Sequence, residues 1–323
     1  MEESEREEED IEVAAEIVAR LNSESLKESQ AAAKDLRMMA KVDESCRGPI
    51  AEAGGIEALL PLLHSSDPDL QENVITTLLN LSINPLVRVR ITQTQNALEA
   101  ILNVIRWGHT AASKENAAAT LFSLLIVEDY RDVVGRHPLA IVALLALLRD
   151  APRHRGKKDA IKGLFHLSLH DANKPRLVEE GVVQVLMSYV RDRGSGLVDD
   201  SLSVLAILAL CEEGAIAIVG ASALPILVEI LRAGSPRSRE NALSVLLALY
   251  KGSNEIILER VAFYNHQIVS MLCSLSVIGS DRAKRKANEL MRMLVVSDYS
   301  SDSMSSRSSR SGSSFLNNFD SRS

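Results

Sequence analysis

Glu115-Asn116-Ala117-Ala118-Ala119-Thr120-Leu121-Phe122-Ser123-Leu124 is the stretch that decides the fold, because it recurs in altered form along the chain. Related stretches lie at residues 71–82, 159–168 and 240–249, and each has a small polar residue followed by apolar residues at helical spacing. The equivalent position recurs at intervals of 42, 43, 43, 42, 40 and 47 residues, at Ala31, Asn73, Asn116, Asp159, Ser201, Asn241 and Asn288. A nearly constant period of this length predicts a repeat protein.

A second series of apolar positions keeps the same period. Its intervals are 42, 43, 42 and 41 residues, and its members are Ile56, Leu98, Ile141, Val183 and Leu224. Turn signals separate the two series, as at residues 65–68, and a short further helix fits before each unit, as at residues 173–180 ahead of Gly181, its expected C-cap. Repeats of about 40–47 residues are typical of armadillo and HEAT proteins, and three helices per repeat favour armadillo.

The predicted fold is therefore all-α, a right-handed armadillo-repeat solenoid of about six repeats with an N-terminal partial cap. Residues 1–10 are acidic and are predicted to form a disordered arm. Residues 297–323 are mostly Ser with Arg, Asp and Asn, and are predicted to form a disordered tail. The solenoid covers residues 11–296, and helices at 11–21 and 30–40 form the cap.

The composition excludes several classes of function. The net charge of −7 and the pI near 5.6 argue against nucleic acid as a partner. Three widely spaced cysteines form no disulfide framework, so we expect a reducing compartment, the cytoplasm and/or the nucleus. The sequence contains no apolar run of the ~18 residues that a membrane span needs.

Motifs of catalysis and of cofactor binding are also missing from the sequence. The stretch Gly156-Lys157-Lys158 lacks the upstream Gly and the following Ser or Thr of a phosphate-binding loop. His166 and His170 are four residues apart, as two metal ligands on a helix would be, but no acidic third ligand follows in pattern. We therefore expect a protein that is not an enzyme and that holds no cofactor or metal.

The polar positions of the recurring helices predict a binding groove. Asn73, Thr76 and Asn80 lie at i, i+3 and i+7, which is one stripe of a helix, and stacking would line such stripes along a concave surface. An Asn amide both donates and accepts, and so suits an extended peptide backbone. In the alternative interpretation, each Asn at a helix start only bonds a neighbouring turn. The predicted groove residues are Asn73, Thr76, Asn80, Asn116, Ser123, Asp159, Lys162, His166, Asn241, Ser244 and Asn288.

The chain also resembles armadillo import receptors in its architecture. Those receptors carry a Trp four residues before the groove Asn, whereas here Thr76 stands four residues before Asn80. The single tryptophan, Trp107, is predicted to lie on a different helix. The missing Trp–Asn array disfavours a nuclear-import cargo binder, which stays an alternative.

Three stretches resemble the armadillo region of plant U-box ubiquitin ligases: residues 115–124, residues 156–160 with 164–167, and residues 281–287. The resemblance covers about residues 11–296. In that family the armadillo array binds a substrate or a regulatory partner, and a separate U-box recruits the ubiquitin-conjugating enzyme. Only about ten residues precede the first predicted helix, so we do not expect a U-box in this chain.

These observations predict a protein-binding scaffold that acts beside ubiquitin ligation as a monomer and holds a protein or an extended peptide in its groove. Two alternatives stay open. The chain could be a member or a fragment of a ubiquitin ligase, or it could be a signalling scaffold without a connection to ubiquitin.

Overall fold

The computed structural model describes residues 2–252 and 255–294, which form helices joined by turns and contain no strand. The predicted disordered tail at 297–323 lies outside these residues. The chain divides into two compact units, Met1–Val204 and Leu205–Ser323, and the helices of each unit are given in turn.

The first unit begins with a pair of helices and continues with three-helix repeats. Its helices are α1 (Glu2–Leu21), α2 (Leu26–Val42), α3 (Arg47–Glu52), α4 (Gly55–Leu62), α5 (Pro68–Leu81), α6 (Pro85–Gln93), α7 (Ala97–Trp107), α8 (Ala111–Leu124), α9 (Tyr130–Arg136), α10 (Ala140–Asp150), α11 (His154–Ser168), α12 (Lys174–Glu179), α13 (Val182–Arg191) and α14 (Val198–Leu208). The unit ends within α14.

The second unit continues the three-helix repeats. Its helices are α15 (Glu212–Gly220), α16 (Ala223–Ala233), α17 (Pro236–Gly252), α18 (Glu255–Ala262), α19 (Asn265–Ile278) and α20 (281–294). In chain order, α3 to α20 make six repeats of three helices, which confirms the predicted all-α armadillo architecture. The pair α1 and α2 precedes them as the expected cap.

The N-terminal cap is longer than the sequence predicted. Helix α1 begins at Glu2 and not at Ile11, so residues 2–10 are helical where a disordered arm was expected. The acidic residues of this segment still have good intrinsic helix propensity, because Glu loses little rotamer freedom in a helix. The negative charge of residues 2–10 therefore did not predict where α1 begins.

In the first unit the third helices of successive repeats pack side by side. Helix α5 contacts both α2 and α8, and α8 contacts α11, while the second helices α4, α7 and α10 lie behind this layer against their own third helices. Leu78, Leu121 and Leu164 occupy the same register at intervals of 43 residues, and each is fully buried. The core of each repeat is thus closed by its neighbours.

Helix α5 begins where the turn signal at residues 65–68 predicted it. Pro68 opens α5, and the side chain of Asp67 accepts a hydrogen bond from the Leu70 amide at 2.7 Å. Helix α8 begins in the same way, because the Thr110 hydroxyl accepts from the Ser113 amide at 2.9 Å. These caps fix the first turn of α5 and of α8.

An arginine of the following repeat closes the C-terminal end of the cap helix α2 and of the third helices α5 and α8. Its Nε donates to a carbonyl that the helix leaves unpaired. The three hydrogen bonds run from Arg47 to Ala40 O at 3.1 Å, from Arg88 to Ser82 O at 2.8 Å and from Arg131 to Leu125 O at 3.1 Å. The sequence analysis did not identify this series, although its members recur at intervals of 41 and 43 residues.

In four of the six repeats, the junction between the first and second helices takes a left-handed backbone conformation. The predicted C-cap Gly181 has φ +82°, and Gly54 has φ +80° at the equivalent point of the first repeat. Asn96 and Ser222 hold the same position with positive φ. The short first helix therefore ends at a residue that reverses the chain into the second helix.

Among the described residues, no single helix is both long and apolar enough to cross a membrane. Two pairs of consecutive helices reach that length and composition together, α15 with α16 and α18 with α19, and they are bent by 80° and 74°.

Substituting Gly54 by alanine is expected to lower the free energy of unfolding by about 1 kcal/mol, because a Cβ is disfavoured at positive φ. No atom would lie within 4 Å of that Cβ, so the loss reports backbone strain and not a clash. Gly48 in α3 is the control, since its Cβ would also meet nothing within 4 Å and its φ is not positive. Gly48→Ala should raise stability by up to about 1 kcal/mol. Urea denaturation measures both, and equal effects would contradict the assignment.

Candidate partner-binding face

Eight of the predicted groove residues lie in the first unit, on the three neighbouring helices α5, α8 and α11. We call this surface the third-helix face. Its members are Asn73, Thr76 and Asn80 on α5, Asn116 and Ser123 on α8, and Asp159, Lys162 and His166 on α11. The helical spacing predicted from the sequence does bring them onto neighbouring helices in contact.

Four of these residues are buried, and three of them, Thr76, Asn116 and Ser123, are bonded to a neighbouring repeat. Thr76, Asn116, Ser123 and Asp159 are 9%, 7%, 8% and 6% exposed. The Asn116 Nδ2 donates to Thr76 Oγ1 at 2.9 Å, and the Ser123 Oγ donates to the backbone carbonyl of Ser82 at 2.9 Å. These four side chains are therefore not open to solvent in the free chain, and their contact with a partner stays a prediction. The alternative interpretation, that an Asn at a helix start bonds a neighbouring turn, does not describe Asn116 either, because its partner Thr76 lies within α5.

Two cations surround the buried carboxylate of Asp159. The Lys162 Nζ lies 3.0 Å from Asp159 Oδ1, and the Arg155 Nε lies 3.6 Å from Oδ2. Arg155 also donates from Nη2 to Asn116 Oδ1 at 3.0 Å, so it joins α11 to α8. The side chains of Arg155 and Lys162 are 59% and 49% exposed, against 8% for Asp159. The charge that reaches solvent on this part of the face is positive.

A related arginine–asparagine pair joins α2 to α5. The Arg37 Nη1 donates to Asn73 Oδ1 at 2.9 Å, and the Asn80 Nδ2 approaches the Arg37 carbonyl at 3.5 Å. Asn73 and Asn80 are half-buried. The sequence analysis named neither Arg37 nor Arg155. The position of Arg155, four residues before Asp159, is the signal that could have placed it on the helix face.

His166 lies in an aromatic cluster between α8 and α11. Its ring centroid is 5.3 Å from that of Phe122 and 5.7 Å from that of Phe165. The Lys162 ammonium stands 5.2 Å from the centroid of Phe122. Burial lowers the pKa of His166, and the positive charge of Arg131 lowers that pKa further. The neutral imidazole is therefore the favoured form in the fold.

Among the described residues, no group of three or more His, Cys, Asp and Glu side chains is placed to hold a metal ion. The Nδ1 atoms of His166 and His170 are buried without a hydrogen-bond partner.

The second unit carries the other three predicted residues. Asn241 and Ser244 lie on α17 and are half-buried, and Asn288 lies on α20 and is exposed. The Lys286 Nζ donates to Ser244 Oγ at 2.6 Å, so Ser244 is engaged by the neighbouring third helix. Burial lowers the pKa of Lys286, against the opposing effect of the Glu240 carboxylate, which lies 3.8 Å from its Nζ.

Trp107 lies at the end of α7, a second helix, and is 59% exposed with the Arg106 guanidinium 5.6 Å from its ring. The prediction that it lies off the third helices is confirmed. Position 76, where an import receptor would have its Trp, is a buried Thr.

Asn116→Ala is expected to lower the free energy of unfolding by about 1–3 kcal/mol, because it removes the hydrogen bonds that join Asn116 to Thr76 on α5 and to Arg155 on α11. Asn288→Ala is the matched control. Both changes gain the same helix propensity, but Asn288 is exposed, so its effect should stay within about ±0.5 kcal/mol. Urea denaturation of the two variants gives the comparison. Equal stabilities would show that the hydrogen bonds of Asn116 contribute nothing.

Comparison with known proteins agrees with the armadillo-repeat architecture described above. The family model described as "Plant U-box protein ARM repeat region" matches residues 12–311. U-box domain-containing protein 16 of Arabidopsis thaliana is 35% identical over 273 residues, which are 84% of this chain and 39% of that protein. U-box domain-containing protein 1 of Medicago truncatula is 36% identical over 279 residues, 86% of this chain and 40% of that protein. The chain thus spans less than half the length of these relatives.

Solved structures share the fold at low sequence identity. A structure of computationally designed armadillo repeat proteins for modular peptide recognition has a TM-score of 0.66 at 20% identity, and the match covers 72% of this chain and 98% of that one. A structure from work on the interaction between cadherin and beta-catenin has a TM-score of 0.71 at 19% identity and covers 86% and 52%. The repeats form a protein-binding armadillo scaffold, and the chain belongs to the family of plant U-box protein ARM repeat regions.

Proposed function

We propose that this chain recognises a substrate or a regulator of the ubiquitin-ligation pathway, and that it binds this partner along the third-helix face of the first unit. The observation that carries the proposal is the pair of half-exposed cations, Arg155 and Lys162, around a carboxylate that is itself buried. Their charge faces solvent without an equally exposed counter-charge, so the face can attract a partner of opposite charge.

The polar groups of the face suit a polypeptide. Asn80 and Asn73 are half-buried and keep amide groups near the surface, where one side chain can both donate to and accept from a peptide backbone. Arg37 donates a hydrogen bond to Asn73, and Arg155 donates one to Asn116. These bonds hold the Asn73 and Asn116 amides in fixed orientations. A fixed orientation lowers the entropy lost on binding.

The names of the relatives support the connection to ubiquitin. The matched proteins are U-box domain-containing proteins, and this chain corresponds to their repeat region. The solved armadillo structures come from proteins made for peptide recognition and from an interaction between two proteins. These names favour a repeat region that selects the partner in the pathway.

Replacing Asn80 and Lys162 together by alanine should lower the affinity for the partner by about tenfold or more, because a charge and a peptide-bonding amide are lost. The unfolding free energy should change by less than about 1 kcal/mol, since both residues reach solvent. The control replaces Asn103 and Lys114, the same residue types outside the face. The partner is captured from plant extract with the full chain, and its affinity for each variant is measured. Equal losses for both pairs would exclude this face.

A second candidate function is ubiquitin transfer by the chain itself, which the names of the relatives also favour. We expect a mixture of this chain, ubiquitin, activating enzyme and conjugating enzymes to form no ubiquitin chains. Placing this repeat region in a U-box relative, in exchange for its own, should direct modification to the captured partner. Ubiquitin chains formed in the mixture without a U-box protein would support the second function. If the proteins captured from plant extract include no ligase component, a signalling scaffold is favoured.

A further inference from the structure

Four third helices begin with a polar cap side chain that bonds the backbone in the same way. The cap residues are Asp67 of α5, Thr110 of α8, Ser235 of α17 and Ser280 of α20. In each case a side-chain oxygen of the cap accepts from the amide three residues later, at 2.7, 2.9, 3.0 and 3.1 Å respectively. Ser235 differs from the other three in the groups that surround it.

The cap of α5 shows that this position can hold an anion. Asp67 places a carboxylate at the N-terminus of α5, where the unpaired amides and the helix dipole favour negative charge. Pro68 follows it as the first residue of the helix. Ser235 is likewise followed by Pro236, the first residue of α17. A phosphate on Ser235 would put negative charge at the position where α5 already has it.

The other two hydroxyl caps already donate to a carboxylate of the preceding repeat. Thr110 Oγ1 donates to Glu72 Oε2 at 2.8 Å, and Ser280 Oγ donates to Glu240 Oε2 at 2.7 Å. A phosphate on either oxygen would stand beside that carboxylate and repel it. The hydroxyl of Ser235 instead lies 2.9 Å from the hydroxyl three residues later. This cap is therefore the one of the three that suits a phosphate.

The chain around Ser235 is basic. Residues 230–239 include three arginines, at positions 232, 237 and 239, and no acidic residue. The flanking acidic residues are Glu229, six residues before the serine, and Glu240. The Glu240 carboxylate lies 3.2 Å from the Arg282 Nε of the next repeat. The local charge therefore favours an added phosphate.

The Arg239 side chain spans the turn that carries Ser235. The Arg239 amide donates to the Ser235 carbonyl at 2.9 Å, and its Nη2 donates to the Arg232 carbonyl at 3.4 Å. Its Nε is buried and has no hydrogen-bond partner. A phosphate oxygen is a strong acceptor for such a donor. Arg232 is exposed in the last turn of α16 and supplies a second guanidinium group at this turn.

Ser235 is open to a modifying enzyme. The residue is exposed and lies between α16 and α17, outside both helices. Pro236 favours an extended backbone at the residue before it, which keeps the serine out of the helix. Protein kinases select their substrates partly by the pattern of charge around the target residue. The exposed hydroxyl and the nearby arginines supply such a target.

We infer that Ser235 is a phosphorylation site, and that Arg232, Arg239 and the N-terminus of α17 hold its phosphate. The Ser235 oxygen attacks the γ-phosphorus of ATP bound to a protein kinase. The new O–P bond forms as the bond between the γ-phosphorus and the bridging oxygen breaks, ADP leaves, and the hydroxyl proton passes to a base of the kinase. The site lies in the second unit, so the inference goes beyond the proposed function and does not depend on it.

The modification changes the charge and the local stability of the second unit. A phosphate carries a charge of about −1.5 to −2 at neutral pH, so it offsets the charges of Arg232 and Arg239. It also adds acceptor oxygens beside amides that the start of a helix leaves unpaired. The phosphate should therefore stabilise the first turn of α17.

The first test identifies the modified residue. The full chain is incubated with plant extract and Mg-ATP, and its phosphopeptides are identified by mass spectrometry. We expect phosphate on Ser235 and none on Ser280. Ser235→Ala should remove that phosphopeptide, whereas Ser280→Ala should leave it unchanged. Absence of phosphate from Ser235 would overturn the inference.

The second test does not need a kinase. Phosphoserine is incorporated at position 235 of the full chain, or at position 280 as the matched control, and thermal unfolding is measured. Phosphate at position 235 should raise the unfolding midpoint by about 2–4 °C, and phosphate at position 280 should lower the midpoint because it repels Glu240. Arg239→Gln should reduce the gain at position 235. A midpoint that phosphate at position 235 leaves unchanged or lowers would overturn the inference, as would equal changes at both positions.

Discussion

The burial of one apolar position between neighbouring third helices is the constraint on which the first unit depends. Leu78, Leu121 and Leu164 repeat at intervals of 43 residues and are fully buried. Burying a Leu stabilises by about 1.5–3 kcal/mol, whereas ordering each residue costs about 1.5 kcal/mol. One repeat has too few buried residues to offset that cost alone, so each is stable only against its neighbours. The nearly constant period follows from this requirement.

The same packing determines what remains available for binding. Side chains near the line where two third helices meet become part of the interhelical hydrogen bonds, as Asn116 does with Thr76. Side chains one turn away reach solvent, as Lys162 does. A face that looks uniformly polar in the sequence is thus divided into a bonded layer and a surface layer. The bonded layer orients the residues that can meet a partner.

The arginines that close the third helices connect stability to the surface beside each helix end. Arg88 and Arg131 satisfy carbonyl groups that a helix end leaves unpaired. Because the same turns carry Ile83 and Ile126, the bonds that complete the helix also hold the backbone beside these two exposed side chains. The family relationship places such an array in plant U-box proteins.

The sequence by itself determined the repeat, the three-helix unit, the turn at Pro68 and the left-handed Gly181, because periodicity, proline and glycine act through the local backbone. The family also followed from short stretches of sequence. Sequence did not determine the start of α1, or which polar residues stay open. Only the tertiary structure decided that Asn116 is buried, since its hydrogen-bond partner Thr76 lies 40 residues earlier on a neighbouring helix. It also decided that Lys162 reaches solvent beside the buried carboxylate of Asp159. The spacing along one helix fixes the direction of a side chain, whereas its exposure depends on the neighbouring helix.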